Sequence, residues 1–159
     1  IWEDIMYLKY ARKLKLYETF NEYLIKLTDD NLNNNDNKNN ITNIKKIKLH
    51  PYEIFCRDIE HIKFIRNNTY NYDLGKNICD KYINEFLQLR NDNDIINTEN
   101  NIKNLIPYVE NVLKTKKAYF IYKMGDIVNA HKLFSEVSVY NKKRNTDYHL
   151  YYDWAEMVE

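Results

Sequence analysis

Apolar residues recur at every third or fourth position through most of this chain, and that spacing predicts helices rather than strands. The opening segment, IWEDIMYLKYARKLKLYETFNEYLIKL, contains no glycine or proline. Its positions Trp2, Met6, Tyr10, Leu14, Tyr17, Phe20, Leu24 and Leu27 trace one stripe, the buried face of a single long amphipathic helix. Lys9, Arg12, Lys13, Glu18, Glu22 and Lys26 fall on the other side, and Glu3 and Asp4 occupy the first turn, where the helix dipole favours acids.

Residues 28–50 break the pattern. The run TDDNLNNNDNKNN has too little apolar surface to offset the entropy of ordering it, so it reads as a poorly ordered Asn-rich insertion or linker. The following ITNIKKIKLH carries Lys45, Lys46 and Lys48 without interleaved aromatics, which reads as a solvated connector rather than a nucleic-acid contact.

Helical periodicity then resumes in pairs. Pro51 suits a first helical position, and Phe55, Ile59, Ile62 and Ile65 form the stripe behind it. Asn67, Asn68 and Thr69 mark a turn, after which Leu74, Ile78, Tyr82, Ile83, Phe86 and Leu87 face inward. Thr98 is a candidate N-cap for the next stretch, and Pro107 predicts a break, with a longer helix from Tyr108 to Met124 beyond it. Gly125 and Asp126 form a turn, Ile127 to Tyr140 a helix, Asn141 to Thr146 a polar connector, and DYHLYYDWAEMVE a last helix.

Two of these pairs echo each other. FIRNNTYNYDLGKNIC and FIYKMGDIVNAHKLF each join a Phe-Ile helix end through a polar turn to a helix carrying a small residue, Gly75 or Ala130. A small residue allows close approach where two helices cross. The fold class expected is therefore all-α: antiparallel helix-turn-helix repeats in a tetratricopeptide-like α-solenoid. Residues 1–159 read as one helical-repeat segment, cut from a larger solenoid.

Composition narrows the chemistry. With 24 basic and 23 acidic side chains there is no overall field to steer nucleic acid or an anionic membrane, and no apolar run is long enough to span a bilayer. The 24 asparagines, with abundant Lys, Ile and Tyr, reflect codon bias, so the sequons at Asn40 and Asn67 carry little weight. Two glycines, Gly75 and Gly125, exclude a glycine-rich phosphate loop. Cys56 and Cys79 read as free thiols, and His50, His61, His131 and His149 scatter over separate elements without metal-ligand spacing. The pair Asp92/Asp94 sits in a polar connector. No catalytic, cofactor or metal residues are assigned, and no small-molecule substrate is expected. The cluster Tyr148, Tyr151, Tyr152 and Trp154 reads as packing material for a neighbouring repeat.

The run KKAYFIYKMGDIVNAHKLFSEVSVYNKKRNTDYHLYYDWAEMVE resembles the FAT domain of phosphatidylinositol-3-kinase-related kinases (the PIKK family), nearest in pattern to its transformation/transcription domain-associated (TRRAP-type) pseudokinases. Phe120, Ala130, Lys132, Phe134, Trp154, Ala155 and Glu156 carry the likeness. In the opening IWEDIMYLKYA, Trp2, Glu3 and Asp4 match an upstream Trp-acid-acid segment, and HIKFIRNNTYNYDLGKNIC matches an intervening repeat in spacing. The Asn-rich insertion, and Asn68-Thr69 where a turn glycine stands in that pattern, are departures from it.

The resemblance implies a non-catalytic protein-interaction scaffold from an intracellular, nuclear parent serving transcription and histone acetylation. Its partners are other repeats of the parent chain and protein subunits of a large complex, with no direct nucleic acid, membrane or cofactor. The alternatives are a regulatory FAT segment of an active Ser/Thr kinase, or an unrelated helical-repeat protein.

Overall fold

The computed structural model describes residues 2–29, 49–90, 100–144 and 149–159, and these form helices and the short connections between them. Among the described residues there are seven helices: α1 (Trp2–Lys13), α2 (Tyr17–Asp29), α3 (Pro51–Asn68), α4 (Tyr72–Arg90), α5 (Asn100–Lys123), α6 (Ile127–Arg144) and α7 (His149–Val158). The all-α class is as expected. Thr98, the stretch 30–48, Asp92/Asp94 and Tyr148 lie outside the described residues. The chain divides into two compact units, Ile1–His61 and Ile62–Glu159, with the division inside α3.

The single long helix expected over the first 27 residues is instead a hairpin of α1 and α2. Lys15 adopts a left-handed backbone, φ 57°. The Lys15 amide donates to the Arg12 carbonyl (3.2 Å) and the Leu16 amide to the Ala11 carbonyl (2.9 Å), the paired bonds of a Schellman ending. Lysine pays about 1–2 kcal/mol for that conformation, and only packing returns it. The fold-back buries Ile5, Leu8 and Ala11 with Phe20 and Leu27.

The face is corrected along with the helix. Trp2, Met6, Tyr10, Leu14 and Tyr17 are exposed, whereas Phe20 and Leu27 of the expected stripe are buried. In the same unit α3 begins at His50, whose carbonyl accepts from the Ile54 amide (3.0 Å) and whose Nδ1 accepts from the Tyr52 amide (3.2 Å). Pro51 takes the first helical position, as its missing N–H allows.

In the second unit α4 packs along α5, α5 on α6, and α7 on both α5 and α6. The core gathers Ala118, Ile121, Ala130, Phe134, Val137, Leu150 and Met157, with Tyr122, Leu133 and Trp154 packed against it. Gly75 lies where α4 crosses α5: a β-carbon there would fall 2.5 Å from Cζ and 2.6 Å from Cδ1 of Phe120.

Three boundaries differ from the sequence pattern. Pro107 does not end a helix but lies inside α5. A proline there costs about 3 kcal/mol, and its neighbours Ile106, Val109, Val112 and Leu113 are all buried, each worth roughly 1.5–3 kcal/mol. Helix α6 runs past Tyr140 to Arg144. Helix α3 likewise runs through Asn68, and the turn falls at 69–71, where the Asn71 side chain caps α4 by accepting from the Leu74 amide (3.1 Å).

Candidate functional site

Charged side chains buried within α3 were not anticipated from its apolar stripe. Arg57 and Asp58 are buried, and the Arg57 guanidinium donates to Asp58 (3.0 and 3.1 Å) and to the Leu27 carbonyl (3.3 Å). Glu60 is buried too, and accepts from Arg12 Nε across to α1 (2.5 Å). Phe55 and Ile59 are only half-buried. These ionic groups tie α1, α2 and the start of α3 together, and each is matched by a partner in reach, as burial of charge requires.

A second ionic clasp closes the other unit. Arg66 donates both terminal nitrogens to Asp153 of α7 (3.1 and 2.9 Å), and its guanidinium lies 3.6 Å from the ring centre of Tyr119 on α5. Burial works against the Arg66 charge, but the hydrogen bonds and charge of Asp153, with Tyr119, outweigh it and hold the guanidinium above its ordinary pKa. The fork geometry suits arginine and not lysine.

The histidines and cysteines occupy structural positions. His50 caps α3. His61 on α3 lies against the Phe20 ring, centroids 6.5 Å apart. His131 on α6 accepts at Nδ1 from the Trp154 indole N–H (3.1 Å), while His149 opens α7. Cys56 in α3 and Cys79 in α4 are not joined in a disulfide. Burial, with the Asp80 charge behind it, pushes the Cys79 thiol far up, which makes it an inert core group rather than a nucleophile. Among the described residues no group of three or more His, Cys, Asp or Glu side chains is placed to hold a metal ion.

Among the described residues of the second unit are two concave surfaces. The larger, about 360 Å³, lies where α4, α5 and α6 meet, with Ile121, Met124 and Leu133 among Lys76, Lys117, Asp126, Asn129, Lys132 and Glu136. Its charges are balanced locally. Lys117 pairs with Asp80 (2.6 Å). Asp126 caps α6, accepting from the Asn129 amide (3.2 Å) and side-chain nitrogen (2.6 Å). Those bonds, and secondarily Lys76 and Lys132, hold its carboxyl below the ordinary value. The groove thus sets side chains of both charges around an apolar floor. The smaller, about 290 Å³, is apolar, formed on α7 by Tyr151, Trp154, Ala155 and Val158.

Trp154 itself is half-buried, stacked on Phe134 with centroids 6.1 Å apart, while Tyr151 and Tyr152 are exposed. The aromatic cluster therefore splits into one packing residue and two surface ones.

Helix α1 carries a group of exposed large apolar side chains. Trp2, Met6, Tyr7 and Tyr10 are 42–54% exposed. Tyr7 stacks on Tyr23 (5.3 Å) and Trp2 meets Tyr52 (5.8 Å), yet both keep half their surface open. Ile5, Leu8 and Ala11 occupy the far side of the same helix. A helix apolar on both sides is one built to lie between two layers. The signal was present in the sequence as two apolar stripes on one helix, masked by treating residues 2–27 as a single helix with a single stripe. Among the described residues no helix is long and apolar enough to cross a membrane.

No family model, curated protein or solved structure matches the chain.

Proposed function

We propose that this chain is a non-catalytic protein-interaction segment of a helical-repeat scaffold, an α-solenoid of tetratricopeptide-like hairpins. Its parent is a PIKK-family protein of the transformation/transcription domain-associated type, acting in the nucleus as a cofactor of transcription. The observation that carries the scaffold reading is the two-sided apolar character of α1: one side buried in its own hairpin, the other open along Trp2, Met6 and Tyr10. Side chains of that size on a surface are costly to solubility and mark a docking face. The parent rests on the sequence likeness at Phe120, Ala130, Lys132, Phe134, Trp154, Ala155 and Glu156.

The mechanism is one of shape. Hairpins supply rigid apolar faces to neighbouring repeats and alternating charge to partner subunits, and no covalent step is involved. The test is to purify the endogenous protein intact, read its full sequence by mass spectrometry, and measure its assembly state. A kinase-like domain lacking the catalytic and metal-binding acids, within a large multi-subunit assembly, is the expected result. An intact set of those acids would assign the parent to the active kinases. A free monomer with no kinase-like domain would overturn the PIKK assignment.

A further inference from the structure

The α1–α2 and α5–α6 hairpins are built on one plan. Their turns use the same pair of backbone bonds. The Lys15 amide donates to Arg12 and that of Leu16 to Ala11; the Gly125 amide donates to Tyr122 and that of Asp126 to Ile121. The left-handed residue is Lys15 in one (φ 57°) and Gly125 in the other (φ 91°), which sets a register offset of 110 residues. The helix after each turn starts alike, the Phe20 amide donating to Leu16 and that of Ala130 to Asp126.

In that register the inner faces agree position by position. Ile5, Leu8, Ala11, Phe20 and Leu27 of the first hairpin correspond to Thr115, Ala118, Ile121, Ala130 and Val137 of the second, and all ten are buried. The outer faces do not agree. Trp2, Met6 and Tyr10 are exposed, while their counterparts Val112, Lys116 and Phe120 are buried. The difference has a visible cause in the second unit. There α4 packs along α5, with Gly75 against the Phe120 ring and Asp80 paired to Lys117.

We infer that the outer face of α1 is covered by an α4-type helix of the same polypeptide, running along Trp2, Met6 and Tyr10 with a Gly opposite Tyr10. The inference deepens the scaffold reading and rests on it. The small residue is required because Tyr10 takes the place of Phe120, whose ring leaves no room for a β-carbon on the helix facing it. The covering helix belongs to the same polypeptide as α1 because α4 belongs to the same chain as α5, and a repeat array buries each hairpin against its sequence neighbour. The apolar area awaiting cover is roughly 300 Å² from these three large side chains, ample for one helix and short of the surface a stable dimer of separate chains needs.

The test compares two methionines in the intact full-length protein. Met6 and Met124 have nearly equal exposure here, 42% and 40%. Hydroxyl-radical oxidation, with Tyr70 as the fully open reference (92% exposed), should modify Met6 roughly fivefold more slowly than Met124 if α1 is covered. Equal rates overturn the inference. A photo-crosslinking benzoylphenylalanine at position 10, close to tyrosine in size, supplies the second readout. The expected adduct is to a helical peptide of the same polypeptide that contains a Gly. An adduct to a second, isotopically labelled copy or to a different protein overturns the inference, as does no adduct. The parent's identity is read separately from its full sequence, so failure here and failure of the scaffold assignment are told apart.

Discussion

Replacing Gly75 with alanine sets two effects of known sign against each other. Glycine inside a helix costs about 1 kcal/mol relative to alanine, so on an open helix face Gly75→Ala would stabilise by that amount. At this crossing the new methyl would lie 2.5 Å from Cζ and 2.6 Å from Cδ1 of Phe120, more than an ångström inside normal carbon contact. Phe120 has no exposed surface and so no open side to swing toward. Overpacking of this kind costs typically 1–3 kcal/mol. After the helix gain is subtracted, the net effect should run from neutral to a destabilisation of about 2 kcal/mol, a drop in Tm of up to about 8 °C for a domain this size.

The double mutant makes the reasoning decisive. Phe120→Leu removes the ring atoms that the methyl meets, at its own cost of about 1–2 kcal/mol. In that background Gly75→Ala should become neutral or stabilising, giving a coupling of about 1–3 kcal/mol between the two sites. The assay is urea unfolding followed by helical circular dichroism on the four proteins of the cycle. Stabilisation by Gly75→Ala with Phe120 in place, or additivity across the cycle, would falsify the claim that α4 and α5 meet at this pair.

The two turns predict opposite responses to one kind of change. Lys15→Gly relieves a left-handed lysine and should raise stability by about 1 kcal/mol, whereas Gly125→Ala, at φ 91° with open space around it, should lower it by a similar amount; urea midpoints measure both. Arg66→Ala leaves the carboxylate of buried Asp153 without its fork and strips the Tyr119 ring of its cation, a loss of about 2–4 kcal/mol; a thermal melt unchanged by the substitution would rule out a clasp. Asp126 has a folded pKa below its unfolded one. Its contribution is therefore fully present above the ordinary carboxylate range and lost as pH falls through the depressed folded value. Asp126→Asn keeps a capping oxygen without the titration, so Tm of the wild type should fall more steeply than that of the variant below about pH 4.

Much of the local structure was legible residue by residue. Gly125-Asp126 reads as a turn because a left-handed position and a capping carboxylate are local requirements, and both are met where they stand. Gly75 reads as a crossing because glycine within a helical pattern is costly without a packing return. The break at residues 14–16 was not legible. Leu14, Lys15 and Leu16 are good helix formers, and nothing short-range separates α1 from α2. Pro107 misled in the opposite direction, its local penalty outweighed by buried neighbours along α5.

For the candidate surface, the sequence by itself determined that these residues make helices and that Gly75 and Gly125 mark a crossing and a turn. Those follow from periodicity and backbone sterics, which act within a few residues. Only the tertiary structure decided which side of α1 is used within its own hairpin. It alone decided that Arg57, Asp58 and Glu60 are buried rather than solvated, and that Arg66 finds Asp153 and Tyr119. Burial and ion pairing between elements distant in sequence depend on how whole helices pack. When a helix has two apolar faces, periodicity cannot say which one its nearest neighbour will take.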